Sequence, residues 1–228
     1  MFIAIEERLL TFFSGFPLIK YKKGSLLMRP EDTPQGVSYL SQGFVRIFFN
    51  AKDGDEFTLN IFKQGAFFPL TWAISNIANS YYYEAMNDTQ VFRAPKESFL
   101  EFIRKDSEIL YLINNRLLIG IDSMTLRLEY LMTGDAHCRV ANVLLMLSRR
   151  FGKIDEGSGD IIIDFNITHK EIAQLAGLSR ETVCFEIKKL ETNKSIKRFK
   201  NTYIICDMEK LDANPLISKS SVSRTMLL

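Results

Sequence analysis

Three observations predict an α+β chain built in three parts. Turn residues recur every 8 to 12 positions over residues 17–100, which is the spacing of a small antiparallel β-roll or barrel. Apolar residues at helical spacing run without proline over 107–132, which predicts one long helix. Residues 168–191 carry two capped helical stretches around one glycine, the pattern of a helix-turn-helix inside a C-terminal winged helix. The corresponding domains are 1–106, 107–133 and 134–216, followed by a mobile tail over 217–228.

In the first part the turn signals are Lys23-Gly24, Pro30-Glu31-Asp32, Gln42-Gly43, Asp53-Gly54 and Gln64-Gly65. Between them lie β-favouring runs at 37–40, 44–49, 56–62 and 89–93. The stretch 50–55 joins two of these runs as a hairpin. A short helix is expected over 5–13 and another behind the roll over 96–103.

The helix of 107–132 repeats Ile109, Leu112, Ile113, Leu117, Gly120, Met124, Leu128 and Leu131 along about seven turns. That exceeds what one face of a β-roll can cover. Part of the stripe, namely Ile113, Leu117, Gly120, Met124, Leu128 and Leu131, is therefore assigned to a parallel dimer seam, with Gly120 allowing close approach. The alternative is a helix covered wholly within its own subunit. Thr133-Gly134-Asp135 reads as a hinge, with Gly134 as a helix C-cap.

The third part opens with a helix over 136–151 that turns Val140, Val143, Leu144 and Leu147 inward. A Gly/Asp-rich loop over 152–159, a strand at 161–163, the helix-turn-helix and a hairpin over 195–206 turning at Lys200-Asn201 complete a winged helix. Thr168 caps the first helix of the motif, with Glu171 completing a capping box; Gly177 makes the turn and Ser179 caps the second helix. Val183, Ile187 and Leu190 then face inward, leaving Ser179, Arg180, Glu181, Thr182 and Phe185 at the exposed N-terminal end. A recognition helix presents its base-reading residues there. An amphipathic hairpin in an ordinary bundle is the bland alternative, and it has no need for two caps and an exposed Arg-Glu pair.

Net charge is +2, with 46% hydrophobic and 25% charged residues, an ordinary soluble composition. The charge is uneven: residues 135–228 hold 15 Lys and Arg against 12 Asp and Glu, and the first 134 hold 14 against 15. Lys188, Lys189, Lys194, Lys197, Arg198 and Lys200 cluster within 188–200, where they suit phosphate contacts. His169, Lys188, Lys189, Lys200 and Asn201 join the expected DNA surface. Cys138, Cys184 and Cys206 form no paired framework, and no secretory signal or membrane span is evident, so a cytoplasmic protein is expected. His137 and His169 read as plain surface residues. With those two as the only histidines, and with no phosphate-binding glycine loop or metal-ligand spacing, no enzyme is expected.

The order of parts, and above all the stretch from Ile167-Thr168 through Glu171-Ile172-Ala173, Gly177 and Ser179-Arg180-Glu181-Thr182-Val183, resembles the Crp/Fnr family of transcriptional regulators. That resemblance implies a homodimer whose recognition helices enter successive major grooves about 34 Å apart on a near-palindromic operator. Arg180 would donate in a fork to guanine O6 and N7, and Glu181 would accept from cytosine N4. Ser179, Thr182 and Thr168 would bind phosphates, while Phe185 replaces an arginine common in relatives and suits a thymine methyl. Activation would also require contact with RNA polymerase.

The effector half departs from the family. Its Gly-Glu-Leu and Arg-Ser-Ala cassettes for cyclic nucleotides are replaced by Gly65-Ala66-Phe67-Phe68-Pro69-Leu70 and Tyr81-Tyr82-Tyr83-Glu84-Ala85, without the acid or the arginine. A buried phosphate without a cation is costly, so no cyclic nucleotide is expected. Neither an iron–sulfur cluster nor haem is expected, since the first cysteine is Cys138 and both histidines lie in the DNA-binding half. Gly65, Phe67, Phe68, Pro69, Leu70, Trp72, Tyr81, Tyr82, Tyr83 and Met124 mark a candidate pocket for an apolar or aromatic molecule, or else the rings fill the core of the roll. Two rivals remain: a family member that binds DNA constitutively without effector, and a small-molecule or haem sensor acting through protein partners.

Overall fold

The computed structural model describes residues 2–211, with side chains from residue 5 onward. The expected tail over 217–228 and the end of the 134–216 domain lie outside the described residues. The chain divides between Leu117 and Leu118, within the long helix, into two units.

The first unit begins with α1 (Phe2–Ser14) and continues through β1 (Leu18–Tyr21), β2 (Leu26–Met28), β3 (Val37–Gln42), β4 (Val45–Asn50), β5 (Glu56–Phe62) and β6 (Phe67–Phe68). Then come α2 (Leu70–Ser75), β7 (Tyr82–Ala85), β8 (Thr89–Ala94), α3 (Lys96–Lys105) and the start of α4 (Ser107–Thr133). Among the described residues the strands form two antiparallel sheets of order β1-β8-β3-β6 and β2-β7-β4-β5. The expected hairpin is β4–β5, closed by Ala51 N–H donating to the Asp55 carbonyl at 2.8 Å. Gly43 turns β3 into β4 at φ +93, and a Cβ there would stand 2.6 Å from Thr89 Oγ1, so only glycine fits.

The sheet containing β3, β6 and β8 is buried on both faces. Tyr39 and Phe67 join Phe13, Phe99, Ile109 and Ile113 in a core built with the helices. Their neighbours Leu40 and Phe68 point the opposite way, into a second core with Met28, Val45, Tyr83 and Val91. Strands covered on both faces lose the apolar–polar alternation, so β6 was not among the strands expected from the sequence. Of the two alternatives the sequence left open for the aromatic residues, pocket or core, the candidate pocket is corrected to core at four positions: Phe67, Phe68, Pro69 and Tyr83 are buried packing residues, and Phe68 stacks on both Phe62 and Tyr83. Gly65, Leu70, Trp72 and Tyr82 are half-buried, while Tyr81 and Met124 are exposed.

Along α4 the sequence assignment needs a second correction. Ile109, Leu112 and Ile113 are buried in the roll unit's own core, so Ile113 is no seam residue. Leu117, Ile121, Met124 and Leu128 are 45–60% exposed, spaced 4, 3 and 4 apart as in a heptad seam. Ile121 belongs to this stripe and was overlooked. Gly120 is exposed, with open space beyond its Cα. Leu131 follows Leu128 by three residues and so continues the stripe, but it is half-buried and lines a cleft of the second unit. No helix among the described residues is long and apolar enough to cross a membrane.

The second unit contains the rest of α4, then α5 (Ala136–Phe151), β9 (Gly152–Ile154), β10 (Ile161–Ile163), α6 (His169–Ala176), α7 (Arg180–Thr192), β11 (Ile196–Phe199), β12 (Thr202–Ile205) and α8 (Met208–Leu211). Its sheet, among the described residues, has the order β11-β12-β10-β9. Gly152 to Ile154, expected as loop, is the edge strand β9, paired antiparallel with β10. Between α4 and α5 the hinge is closely bonded. Asp135 Oδ1 accepts from Cys138 N–H at 2.8 Å, and Arg139 donates to the carbonyls of Gly134 (3.0 Å) and Leu131 (2.8 Å). Gly134 is required by crowding rather than by a left-handed cap, because a Cβ would stand 2.7 Å from the Tyr130 carbonyl oxygen.

Candidate nucleic-acid interface

The helix-turn-helix forms as its caps dictate. Thr168 Oγ1 accepts from Glu171 N–H at 3.2 Å, and Glu171 Oε2 accepts from Thr168 N–H at 2.7 Å, which is a closed capping box. Gly177 ends α6 in the left-handed region at φ 64, ψ 44. Ser179 Oγ accepts from Thr182 N–H at 3.1 Å and starts α7. Ile172, Leu175, Val183, Ile187 and Leu190 are buried, which fixes the opposite face of α7 outward.

On that outward face Arg180 and Glu181 are exposed, and their side chains make no hydrogen bond or ion pair with any described residue. Ser179 and Thr182 share one hydroxyl–hydroxyl bond of 2.9 Å, which leaves a second hydroxyl proton available to a phosphate. Thr168 is more committed, since its hydroxyl donates to Glu171 at 2.7 Å. The His169 ring nitrogen Nε2 stands 2.6 Å from Arg198 Nη1. A guanidinium can only donate, so this nitrogen accepts and the imidazole is neutral. Burial, then the charges of Arg198 and Arg180, hold its pKa below the usual histidine value. Phe185 is exposed, with Lys189 Nζ 4.3 Å from its ring centroid.

The basic run separates into two groups. Lys189, Lys197 and Arg198 are paired with Glu186 (2.8 Å), Asp160 (3.3 Å) and Glu191 (3.5 Å). Lys188, Lys194 and Lys200 are exposed and have no ion pair among the described residues. Lys200 turns the wing at φ 56 beside Asn201, whose carbonyl accepts from Ile167 N–H at 2.9 Å. Wing and first motif helix are thereby tied together.

Sequence reasoning missed Glu186, which faces inward from α7 and is buried. It accepts from His137 Nδ1 (2.9 Å) on α5 and from Lys189 (2.8 Å). Burial alone would raise its pKa, but the bonds from Lys189 and His137 outweigh that and hold it below the usual range. His137 is accordingly a half-buried link between α5 and α7 rather than a plain surface residue. Lys189 lies three residues after Glu186 and could have signalled part of this; the partner from α5 could not.

In the roll unit, Arg46 is a buried cation that the sequence did not single out. It donates to Glu56 (2.8 Å) and Glu84 (3.0 Å) and lies 4.1 Å from the Phe48 ring centroid. Burial opposes its charge, and the two carboxylates more than restore it, raising its pKa.

Two family models match the chain: a cyclic nucleotide-binding domain over residues 18–106 and a Crp-like helix-turn-helix domain over 138–213. The chain is 25% identical over 203 residues to a cAMP-activated global transcriptional regulator from Pasteurella multocida, covering 89% of this chain and 96% of that one. It is 30% identical over 163 residues to the cyclic AMP receptor protein of Thermus thermophilus, covering 72% of this chain and 71% of that one. The chain belongs to the Crp/Fnr family. A solved transcriptional regulator of this family from Thermus thermophilus superposes with a TM-score of 0.67 at 25% identity, over 86% of this chain and 96% of the other. As a Crp/Fnr member the chain is a DNA-binding transcriptional regulator and not an enzyme.

Proposed function

We propose that this Crp/Fnr regulator acts in the cytoplasm as a homodimer paired along α4, reads a near-palindromic operator, and responds to an effector other than a cyclic nucleotide. The observation that carries the reading is the Arg180–Glu181 pair, exposed and unbonded at the N-terminal end of a well-capped α7. A guanidinium fork and a carboxylate in adjacent positions match the two edges of a G·C pair. Ser179, Thr182, Lys188 and Lys200 surround the pair with groups suited to phosphates. Phe185 supplies apolar contact for a thymine methyl, so one base of the half-site would differ from that of relatives with arginine there. Pairing along α4 is supported by the unmet stripe of Leu117, Ile121, Met124 and Leu128.

The relative from Pasteurella multocida and the cyclic AMP receptor protein of Thermus thermophilus carry cyclic AMP in their names. Against that effector here, Phe67, Phe68 and Tyr83 are packed in the cores of the roll, and buried Arg46 already holds two carboxylates. A nucleotide phosphate would have to displace one of them.

Selection of duplexes from a random pool by the unaltered protein tests this function. It should enrich a near-palindrome whose half-sites lie about one helical turn apart, about 34 Å. Failure to enrich any sequence over the starting pool would overturn the reading.

A further inference from the structure

One polar residue interrupts the exposed apolar stripe of α4. Leu110, Leu117, Ile121, Met124 and Leu128 are 42–60% exposed. Asn114 stands four residues after Leu110 and three before Leu117, so with it the spacing along the helix runs 4, 3, 4, 3, 4 without a break. Asn114 therefore occupies one of the heptad positions that meet a partner helix. Leu112, two residues earlier and so about 200° round the helix, is buried in the core of its own subunit. That turns Asn114 outward. It is exposed, and its side-chain amide makes no hydrogen bond with any described residue.

We propose, resting on the α4 pairing above, that Asn114 bonds the partner's Asn114 across the dimer axis and thereby fixes the two helices parallel and in register. An amide carries both an acceptor oxygen and two donor protons, so two copies satisfy each other, one Nδ2–H donating to the other's Oδ1. Other arrangements leave the group stranded. A parallel pair slipped by one heptad sets the amide against Ile121, and an antiparallel pair centred on the stripe sets it against Met124. Either buries an amide without a partner, which costs more than the bond itself returns. Leucine at this position would bury more apolar area and pair more strongly, so the asparagine favours one arrangement while weakening the pairing itself. Parallel pairing brings the C-terminal ends of both α4 helices to the same end, and from there both DNA-reading units follow in the chain.

Disulfide trapping and sedimentation velocity on the full chain test this. Leu110→Cys, about one helical turn before Asn114, should yield an intersubunit 110–110 disulfide under oxidised glutathione, with the linked peptides identified by mass spectrometry apart from those of the native cysteines. Adding Asn114→Leu should tighten association by about tenfold through the added apolar burial, yet lower the 110–110 yield as slipped or reversed pairs appear. A dimeric protein that retains Asn114 and gives no 110–110 disulfide would overturn the proposal and leave the pairing intact. So would an Asn114→Leu protein with an undiminished yield, or one whose dissociation constant stays within about threefold of the unaltered protein's. An unaltered protein that is monomeric at micromolar concentration would overturn both the pairing and this inference. Should Leu110→Cys itself weaken the dimer, trapping at Leu117→Cys, the next apolar position of the stripe, makes the same comparison.

Discussion

Replacing Ile121 by aspartate is the sharpest perturbation of the α4 pairing. Ile121 is 60% exposed in the single chain, so the substitution removes little packing there and should leave the fold within about 0.5 kcal/mol. At a seam the cost is larger. Burying a whole isoleucine side chain contributes about 1.5–3 kcal/mol, so covering its exposed part contributes about 1–2. Aspartate forfeits that and brings a carboxylate to an apolar seam opposite its own symmetry copy. With both helices altered, the loss comes to about 4–6 kcal/mol, which is 10³- to 10⁴-fold in dissociation constant. Sedimentation velocity over a dilution series reads this directly, with circular dichroism confirming that the helices remain. A dissociation constant within about threefold of the parent's, or a parent that is monomeric at micromolar concentration, would refute the seam.

Ile113→Ala should behave in the opposite way, costing about 2–5 kcal/mol of folding stability in urea because the residue is buried, while the folded fraction still dimerises. Glu186 has a folded pKa below its unfolded one, so its stabilisation is complete above the ordinary glutamate range and is lost as pH falls through the lowered value. Glu186→Gln should therefore be destabilising at about pH 7, and less so as pH falls below the ordinary glutamate range; a urea-midpoint loss that does not shrink toward acid would contradict this. Millimolar cyclic AMP or cyclic GMP should leave the melting temperature unchanged, whereas a ligand at 100 times its dissociation constant adds about 2.7 kcal/mol. Saturable micromolar binding of either nucleotide would count against the effector reading.

Much of the fold and the exposed face of the helix-turn-helix were legible in the sequence, and the failures share a physical cause. Caps and turns are local: Thr168, Glu171, Gly177 and Ser179 sit where the motif requires, and α5 spans the stretch its apolar period marks. β1 and β2 are short edge strands, β6 has two residues, and β9 starts on a glycine, so each lacks a periodic signal. A helical stripe shows which residues are apolar but not what covers them. Ile113 was thus taken for seam and Ile121 overlooked. The same limit left Phe67 and Phe68 open between pocket and core, because their alternation between two cores is a property of the folded sheet. Long-range charge pairs were the least visible. Glu186–His137 and Arg46–Glu84 join residues 49 and 38 positions apart.

The central claim is that the exposed N-terminal end of α7 reads DNA sequence, and Arg180→Ala tests it most directly. Fluorescence anisotropy should be measured on the selected operator and on a random duplex, at one salt concentration, with Lys188→Ala alongside. Arg180→Ala should cost about 1–3 kcal/mol on the operator, chiefly by losing preference at one G·C pair, and much less on the random duplex. Lys188→Ala should weaken both duplexes alike. Equal losses on both duplexes for Arg180→Ala, in a protein that still folds and dimerises, would contradict the account.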